Sequence, residues 1–333
     1  MKKRVYSGTR PTGRLHLGNY LGGIKGYIAL QEREDLDCIY GVVDLHGITT
    51  PYDPKTLQQN IREVVLDYLA AGLDPKKCYL MIQSQVSEHT ELAYLFSTIY
   101  PVSRLEQLPT YKDKKAQFPK YVNLGLLSYP ILMAADILIY KAELVPVGID
   151  QEPHLELTRE VARKFNRMFK PIFPETKRFA TEGEYILSLT GEGKMSKTVE
   201  GSHILLTDVL ETIKERLAKA PTDTGKGKAI PKEGGVANLL KLVELFMGKK
   251  ARQAYEKQYL GKGIKYVELK DKLSAVGLEA GSEMFKGQEE ALEALRALGY
   301  SLKESREALR NVSEDIKGTE NVIKEALKNL SGK

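Results

Sequence analysis

The chain of 333 residues contains no tryptophan and only two cysteines, Cys38 and Cys78. Two thiols are too few for the disulfide framework of a small secreted scaffold, and both are expected to stay reduced in a cytosol. No apolar run approaches the ~18 residues of a membrane-spanning helix, which argues against a membrane protein. The opening Met1-Lys2-Lys3-Arg4-Val5-Tyr6 passes from three basic residues straight into a strand-like run. It lacks the apolar h-region of a signal peptide, so a cytoplasmic location is expected. The five histidines and two cysteines show no zinc-ligand spacing, and no tightly bound, protein-ligated metal is expected. Nor does any repeat of fixed period appear. Charge of one sign is not in large excess: 50 basic against 44 acidic residues leave +6, a bias compatible with a polyanionic partner. What is present is a 42% hydrophobic, 28% charged chain of mean hydropathy −0.32, the profile of a globular protein with a sizeable core rather than a disordered one. Its length suits two or three domains at roughly 100–200 residues each.

Short apolar runs alternate with helical patterns over the first 185 or so residues. Val5 to Gly8 reads as a strand ending in a turn, with a helix from Asn19 to Arg33 behind it. Asp37 to Asp44 is a near-continuous apolar strand of the buried, parallel-sheet kind, and Cys78 to Gln83 is a third strand. Between them Pro54 to Ala71 is an amphipathic helix with Leu57, Ile61, Val64, Val65, Tyr68 and Leu69 on one face. Strand and helix in this alternation mean βαβ units, hence an α/β doubly wound parallel sheet with its ligands at the carboxyl ends of the strands. The basic stretch Tyr111–Tyr121 reads as a mobile loop, followed by helices over Leu126–Tyr140 and Gln151–Phe169 around the short apolar run Val145–Gly148. Helical patterns dominate from Leu205 to Lys272, broken by Thr222–Gly235, a flexible loop by composition. Lys249–Lys272 carries eight basic residues against Glu256, Glu268 and Asp271; a solvated surface is the bland reading, an RNA backbone the sharper one.

Four clusters could carry chemistry. Gly8-Thr9-Arg10-Pro11-Thr12-Gly13-Arg14-Leu15-His16-Leu17-Gly18-Asn19 lies where the first strand turns into a helix. Its glycines let the backbone approach a ligand, and a helix N-terminus offers free N–H groups to phosphate. It is neither a GxGxxG fingerprint nor a Walker loop. His16 and Asn19, three apart, could both face a phosphate as neutral or cationic donors. Gly148-Ile149-Asp150-Gln151 sits at a strand end, where a carboxylate suits ribose hydroxyls; an ordinary helix N-cap is an equally good reading of Asp150 alone. Gly193-Lys194-Met195-Ser196-Lys197-Thr198 places two lysines around a small pair, able to hold a polyphosphate, although such loops are more often plain surface. In the fourth, Tyr129-Pro130-Ile131-Leu132-Met133-Ala134-Ala135-Asp136, Asp136 is the one charge between Leu124 and Tyr140. It needs a partner, either a neighbouring cation or a ligand N–H or O–H in a pocket floored by Met133 and Tyr129. His46 also falls at the carboxyl edge of the sheet. No covalent nucleophile announces itself.

On these residues the chain resembles the class I aminoacyl-tRNA synthetases, and within them the bacterial-type tryptophanyl branch. Pro11-Thr-Gly…His16-Leu-Gly-Asn19 resembles the HIGH signature, and Lys194-Met-Ser-Lys-Thr198 resembles KMSKS with a hydroxyl-preserving threonine. Ala134–Leu138 and Val145–Arg159 are similar to tracts of the tryptophanyl branch, and the likeness runs from Val5 to about Leu273. It implies that Asp136 accepts an indole N–H, with Met133, Tyr129, Val145, Val147, Tyr6 and His46 shaping the pocket and Gln151 near the amino acid's polar end. It implies ATP on Arg10, Pro11, Thr12, Gly18, Asn19, Gly148, Ile149, Asp150, Ile186, Met195, Ser196 and Thr198, with Lys114, Lys194 and Lys197 on the phosphates and His16 beside them. Tyr6 and Arg10 stand where some relatives use Phe and Gln.

The implied reaction is attack of the tryptophan carboxylate on the α-phosphorus of ATP carried with Mg²⁺, then esterification of tRNA(Trp). Positioning and positive charge from His16, Lys194, Lys197 and Mg²⁺ would drive it, with no general base. A site built to hydrogen-bond a donor rejects analogues lacking it by on the order of 4–7 kcal/mol. A homodimer is implied too.

The resemblance gives three domains: a Rossmann-type catalytic domain at 1–190, a helical tRNA-binding region at 191–280, and a tail at 285–333. That tail departs from the family. Its three short amphipathic patterns, Gln288–Leu298, Lys303–Val312 and Glu320–Leu330, resemble the UBA-like C-terminal domain of the Holliday-junction protein RuvA. Nine basic and nine acidic residues make it neutral, unlike an RNA-clamping arm. A protein-docking or dimer-supporting tail and a compact cap without a partner are equally good readings. Rival functions are a tyrosyl-tRNA synthetase, since a carboxylate can equally accept a phenol O–H, and an inactive paralogue kept as an RNA- or protein-binding module. The Val145–Gly148 tract and Met133 favour the indole, and the intact His16, Asn19, Asp150, Lys194 and Lys197 favour an enzyme.

Overall fold

The computed structural model describes residues 2–180, 186–197 and 199–275, and beyond them 294, 295, 298, 300, 305, 308, 309, 312 and 319–331. Internal contacts divide the chain into two compact units, Met1–Asp208 and Val209–Lys333.

The first unit is built on five parallel strands: β1 (Lys3–Thr9), β2 (Leu36–Val42), β3 (Tyr79–Ile82), β4 (Leu144–Pro146) and β5 (Lys177–Phe179). Their spatial order is β3-β2-β1-β4-β5. β2 is buried at six of its seven positions, as its apolar run requires of a strand covered on both faces. The chain fills one side of β1 first, pairing Val5 with Cys38, and then crosses to the other, pairing Val5 with Leu144. The topological switch point therefore lies between the carboxyl ends of β1 and β4, where doubly wound sheets open a crevice.

The crossovers follow local rules. From β1 to β2 the chain runs through α1 (Leu17–Asn19), a π-helical turn (Tyr20–Ile24) and α2 (Lys25–Gln31). The expected continuous helix is thus widened by one turn at Gly22-Gly23, a weak helical pair, and such turns cluster at functional sites. From β2 to β3 it passes α3 (Asp44–Gly47) and α4 (Pro54–Ala70), the latter started by Pro54 at N1 and by Asp53, whose side chain accepts the Lys55 N–H at 2.9 Å. Four helices join β3 to β4: α5 (Glu88–Ser97), α6 (Val102–Glu106), α7 (Pro109–Gln117) and α8 (Leu124–Ile139). α9 (Glu152–Met168) leads to β5.

The basic stretch expected as a loop is α7 and a 3-10 turn over Pro119–Tyr121. Pro109 sits at N1, Lys, Ala and Gln are good helix formers, and buried Tyr111 anchors the helix. One core packs α2 and α4 on the sheet, and another joins α5, α8 and α9 through Phe96, Ile131, Leu138 and Val161.

The second unit contains α10 (Leu210–Lys219), α11 (Gly234–Met247), α12 (Lys249–Leu260), a helical stretch at 266–275 and the helix Thr319–Ser331. The segment read as a flexible loop is pinned by Asp223, whose carboxylate accepts the hydroxyls of Tyr259 and Tyr266 and the Gly225 N–H. Towards the C-terminus Leu295, Ala308 and Ala326 form a small core with Tyr300, Leu309, Val312 and Leu327. The first two expected tail helices fall mostly outside the described residues.

Candidate active site

A cavity of about 480 Å³ lies at the switch point, lined by Gly8, Thr9 and Arg10 from the end of β1 and by Val145, Pro146, Val147 and Gly148 from the end of β4. This is the size of an ordinary small-molecule site. Its apolar part is made by Tyr6, Met133, Val145 and Val147 around Asp136. Asp136 is 1% exposed, and its carboxylate is fully engaged. His46 Nε2 approaches Oδ2 at 2.7 Å, His89 Nδ1 approaches Oδ1 at 2.6 Å, and Gln83 Nε2 donates to both oxygens at 2.8 and 2.9 Å. Burial pushes this carboxyl up, but the hydrogen bonds and charges of His46 and His89 prevail, so it lies below the usual carboxylate range. The partner demanded by a buried Asp is therefore two imidazoles and an amide, not a Lys or Arg.

Beside it, Tyr129 donates to Thr110 Oγ1 at 2.7 Å and meets His154 Nε2 at 2.7 Å. Burial drives His154 down to about 4, so it is neutral near pH 7. Gln151 donates to Asp150 at 2.9 Å, and Asp150 Oδ2 also accepts Lys194 Nζ at 2.9 Å. Burial raises the Asp150 carboxyl, and the Lys194 hydrogen bond and charge more than offset this, keeping it ionised.

The two glycine-containing loops meet at the same place. His16 caps α1, and its backbone N–H donates to Asn19 Oδ1 at 3.1 Å. Burial, with Lys197, His203 and Lys194 nearby, holds the His16 imidazole down at about 4. It is neutral near pH 7, so of the two forms expected from sequence only the neutral donor is present, and the charge there comes from lysines. Behind the loop, buried Asp67 on α4 accepts the Leu15 N–H at 2.9 Å and pairs with Arg14 at 2.5 Å. Lys197 Nζ donates to the carbonyls of Gly13 and Arg14 at 3.1 and 2.8 Å, and burial pulls it down to about 8. The backbone joins the loops again, Leu17 N–H to Ile204 at 2.8 Å and Leu206 N–H to Leu15 at 2.9 Å.

Thr12, His16, Gly18, Asn19, Lys114, Ile186, Lys194 and Met195 line the first cavity together with the residues around Asp136, including His46, Tyr129, Asp150 and Gln151. Pro11, Ser196 and Lys197 line an adjoining cavity of about 490 Å³, which shares Arg10, Thr12, His16, Lys114 and Met195. Ile149 lines neither and is half exposed. Thr198 lies outside the described residues. Reading the sequence missed Gln83, His89, Thr110 and Asp67. Asp67 stood on the buried face of a recognised helix, which was the one available signal; the other three meet the site only through tertiary packing.

Comparison with known proteins gives a consistent picture. The family model for class I tRNA synthetases (W and Y) matches residues 1–279, and that for the RuvA C-terminal domain matches residues 286–331. The tryptophan–tRNA ligase of Deinococcus radiodurans is 47% identical over 226 residues, 67% of this chain and 68% of that protein. That of Caldanaerobacter subterraneus subsp. tengcongensis is 39% identical over 340 aligned residues, 99% of this chain and 98% of the other. Among solved structures, tryptophanyl-tRNA synthetase from Campylobacter jejuni, complexed with ADP and tryptophan, superposes with a TM-score of 0.70 at 29% identity, over 99% of this chain and 98% of that one. A tyrosyl-tRNA synthetase from Archaeoglobus fulgidus reaches 0.68 at 18% identity over 85% of this chain and 90% of its own, a likeness of fold alone.

Proposed function

The chain belongs to the class I tRNA synthetases of the tryptophan and tyrosine branch, and within that family we infer a tryptophan–tRNA ligase. It activates L-tryptophan with ATP to tryptophanyl-adenylate and pyrophosphate, then transfers the amino acid to tRNA(Trp), releasing AMP. The relatives matching at high identity are tryptophan–tRNA ligases, while likeness to the tyrosyl enzymes stays at 16–18% identity.

One cavity supports the assignment of roles, because it holds both the engaged carboxylate of Asp136 among apolar walls and Lys194 of the signature loop, with Lys197 in the adjoining cavity. In it, Asp136 accepts the indole N–H, and Tyr6, His46, Tyr129, Met133, Val145 and Val147 enclose the ring. Gln151 faces the amino acid's polar end. Asp150 takes the ribose hydroxyls once Lys194 moves from it to the phosphates. Arg10 suits the same anion: it donates to Thr50 at 2.7 Å, yet its buried Nε has no hydrogen-bond partner. Lys114 also lines this end. Mg²⁺ arrives with ATP as part of the substrate.

The chemistry needs no base. A tryptophan carboxylate oxygen forms the bond to the α-phosphorus, and the bond from that phosphorus to the β-bridging oxygen breaks, its electrons leaving with pyrophosphate. Positioning by the loops and positive charge from Lys194 and Lys197 stabilise the charge that develops. The terminal adenosine's 2′-hydroxyl then takes the acyl group. The test is charging of tRNA(Trp) transcript with labelled tryptophan: esterification is expected, and a purified protein that esterifies neither tryptophan nor tyrosine would be the inactive paralogue.

The protein works as a cytoplasmic homodimer in this reading, supported by the apolar side chains Tyr94, Leu95 and Val102 that α5 and α6 leave exposed. Sedimentation as a monomer at micromolar concentration would contradict it. The RuvA-like tail serves docking of a protein or support of the dimer rather than tRNA.

A further inference from the structure

His89 is a fully buried polar group beside the site. It stands in the first turn of α5, is 0% exposed, and takes no part in the chemistry above. Carboxylates only accept, so its Nδ1–H donates to Asp136 Oδ1 at 2.6 Å. Its Nε2 meets the Tyr140 hydroxyl at 2.9 Å, and the Tyr140 ring stacks on Tyr6, a wall of the cavity, with centroids 5.4 Å apart. Gln83, equally buried, braces both oxygens of the same carboxylate. Neither Gln83 nor His89 lines the cavity, whereas Asp136 and His46 do. The carboxylate is thus gripped from behind by two residues and touched from the cavity side by one.

We propose that His89 is a positioning residue for amino-acid selection: with Gln83 it fixes the plane of the Asp136 carboxylate from the protein side, so that His46 is the contact that yields when a ring N–H enters. This rests on the reading that Asp136 accepts the indole N–H. A carboxylate free to rotate would lose directional preference for that donor, while apolar enclosure of the ring would persist. A merely structural His89 would instead affect all ring substrates alike.

The experiment is ATP–pyrophosphate exchange, with KM and kcat measured for tryptophan and for its benzothienyl analogue, in which sulfur replaces the indole N–H. The wild type is expected to prefer tryptophan in kcat/KM by at least about 100-fold. His89→Leu is expected to raise KM for tryptophan about 10- to 100-fold with kcat nearly unchanged and KM for the sulfur analogue within about threefold. In His89→Asn, whose amide nitrogen can replace Nδ1–H, most of the preference should return. Equal losses for both substrates, an unchanged preference in His89→Leu, or no recovery in His89→Asn overturns the proposal while leaving the role of Asp136 intact. No preference in the wild type overturns both. Should His89→Leu fail to fold, Gln83→Leu decides in its place: a selective loss for tryptophan supports the brace, and an equal or absent loss overturns it.

Discussion

At Asp136 burial and hydrogen bonding pull in opposite directions, and the two imidazoles of His46 and His89 win. Lys197 shows the opposite balance: burial brings it down to about 8 although Asp67 and Glu63 favour its charge. Its cation is therefore lost as pH rises through about 8. If that charge stabilises the leaving pyrophosphate, kcat/KM for ATP in the exchange reaction falls above that pH, and Lys197→Arg, which stays charged, removes the limb. An unchanged limb in Lys197→Arg would assign it to another group. On the acid side, His16 and His154 titrate at about 4 when folded, against an ordinary 6.5. The unfolded chain binds more protons across that window, so stability falls as pH drops from about 6.5 towards 4. Urea unfolding at pH 7, 5.5 and 4.5 reads this, and a flat response would contradict it. Asp136, Lys194 and Lys197 were legible in the sequence because their residue types are anomalous where they stand: a lone charge in an apolar helix, and lysines around a small pair. His89 and Gln83 were not. Nothing in their own neighbourhoods is unusual: His89 reaches Asp136 through α5 packing against α8, and Gln83 from the turn that follows β3.

Elements place these groups, and some are fastened by single residues. Asp67 ties α4 to the Leu15 backbone and the Arg14 side chain, next to the Gly13 and Arg14 carbonyls that hold Lys197. Asp67→Ala leaves the Leu15 N–H unpaired and is expected to lower stability by about 2 kcal/mol and the exchange rate about tenfold or more; thermal unfolding and exchange on the same sample check both. In the second unit Gly225 has φ +84°, and a Cβ there would run into the Ile264 carbonyl. Gly225→Ala should cost about 1–3 kcal/mol, read by loss of the helical signal at lower denaturant. β2 and α4 were legible because their apolar periodicity is strong. α7 was misread because its basic composition hid good helix propensity behind the look of a loop, and β5 went unread because three residues carry too little periodicity to register.

Across the molecule, the order β3-β2-β1-β4-β5 matters more than any one strand, since it puts the crevice beside β1 and so brings residues 6–19, 129–151 and 186–197 together. That convergence could be anticipated from the alternation of strand and helix, but not its distances. The tail keeps a small core of its own around Leu295, Ala308 and Ala326. Removing residues 285–333 should therefore leave tryptophan-dependent exchange within about threefold, and a loss of tRNA affinity as large as the loss of charging would contradict a docking role. The most direct test of the whole account is ATP–pyrophosphate exchange driven by each amino acid in turn, with the wild type and with Asp136→Ala. Exchange with tryptophan alone, abolished in the variant, is the predicted result. Exchange driven by tyrosine, or by tryptophan undiminished in Asp136→Ala, would contradict it.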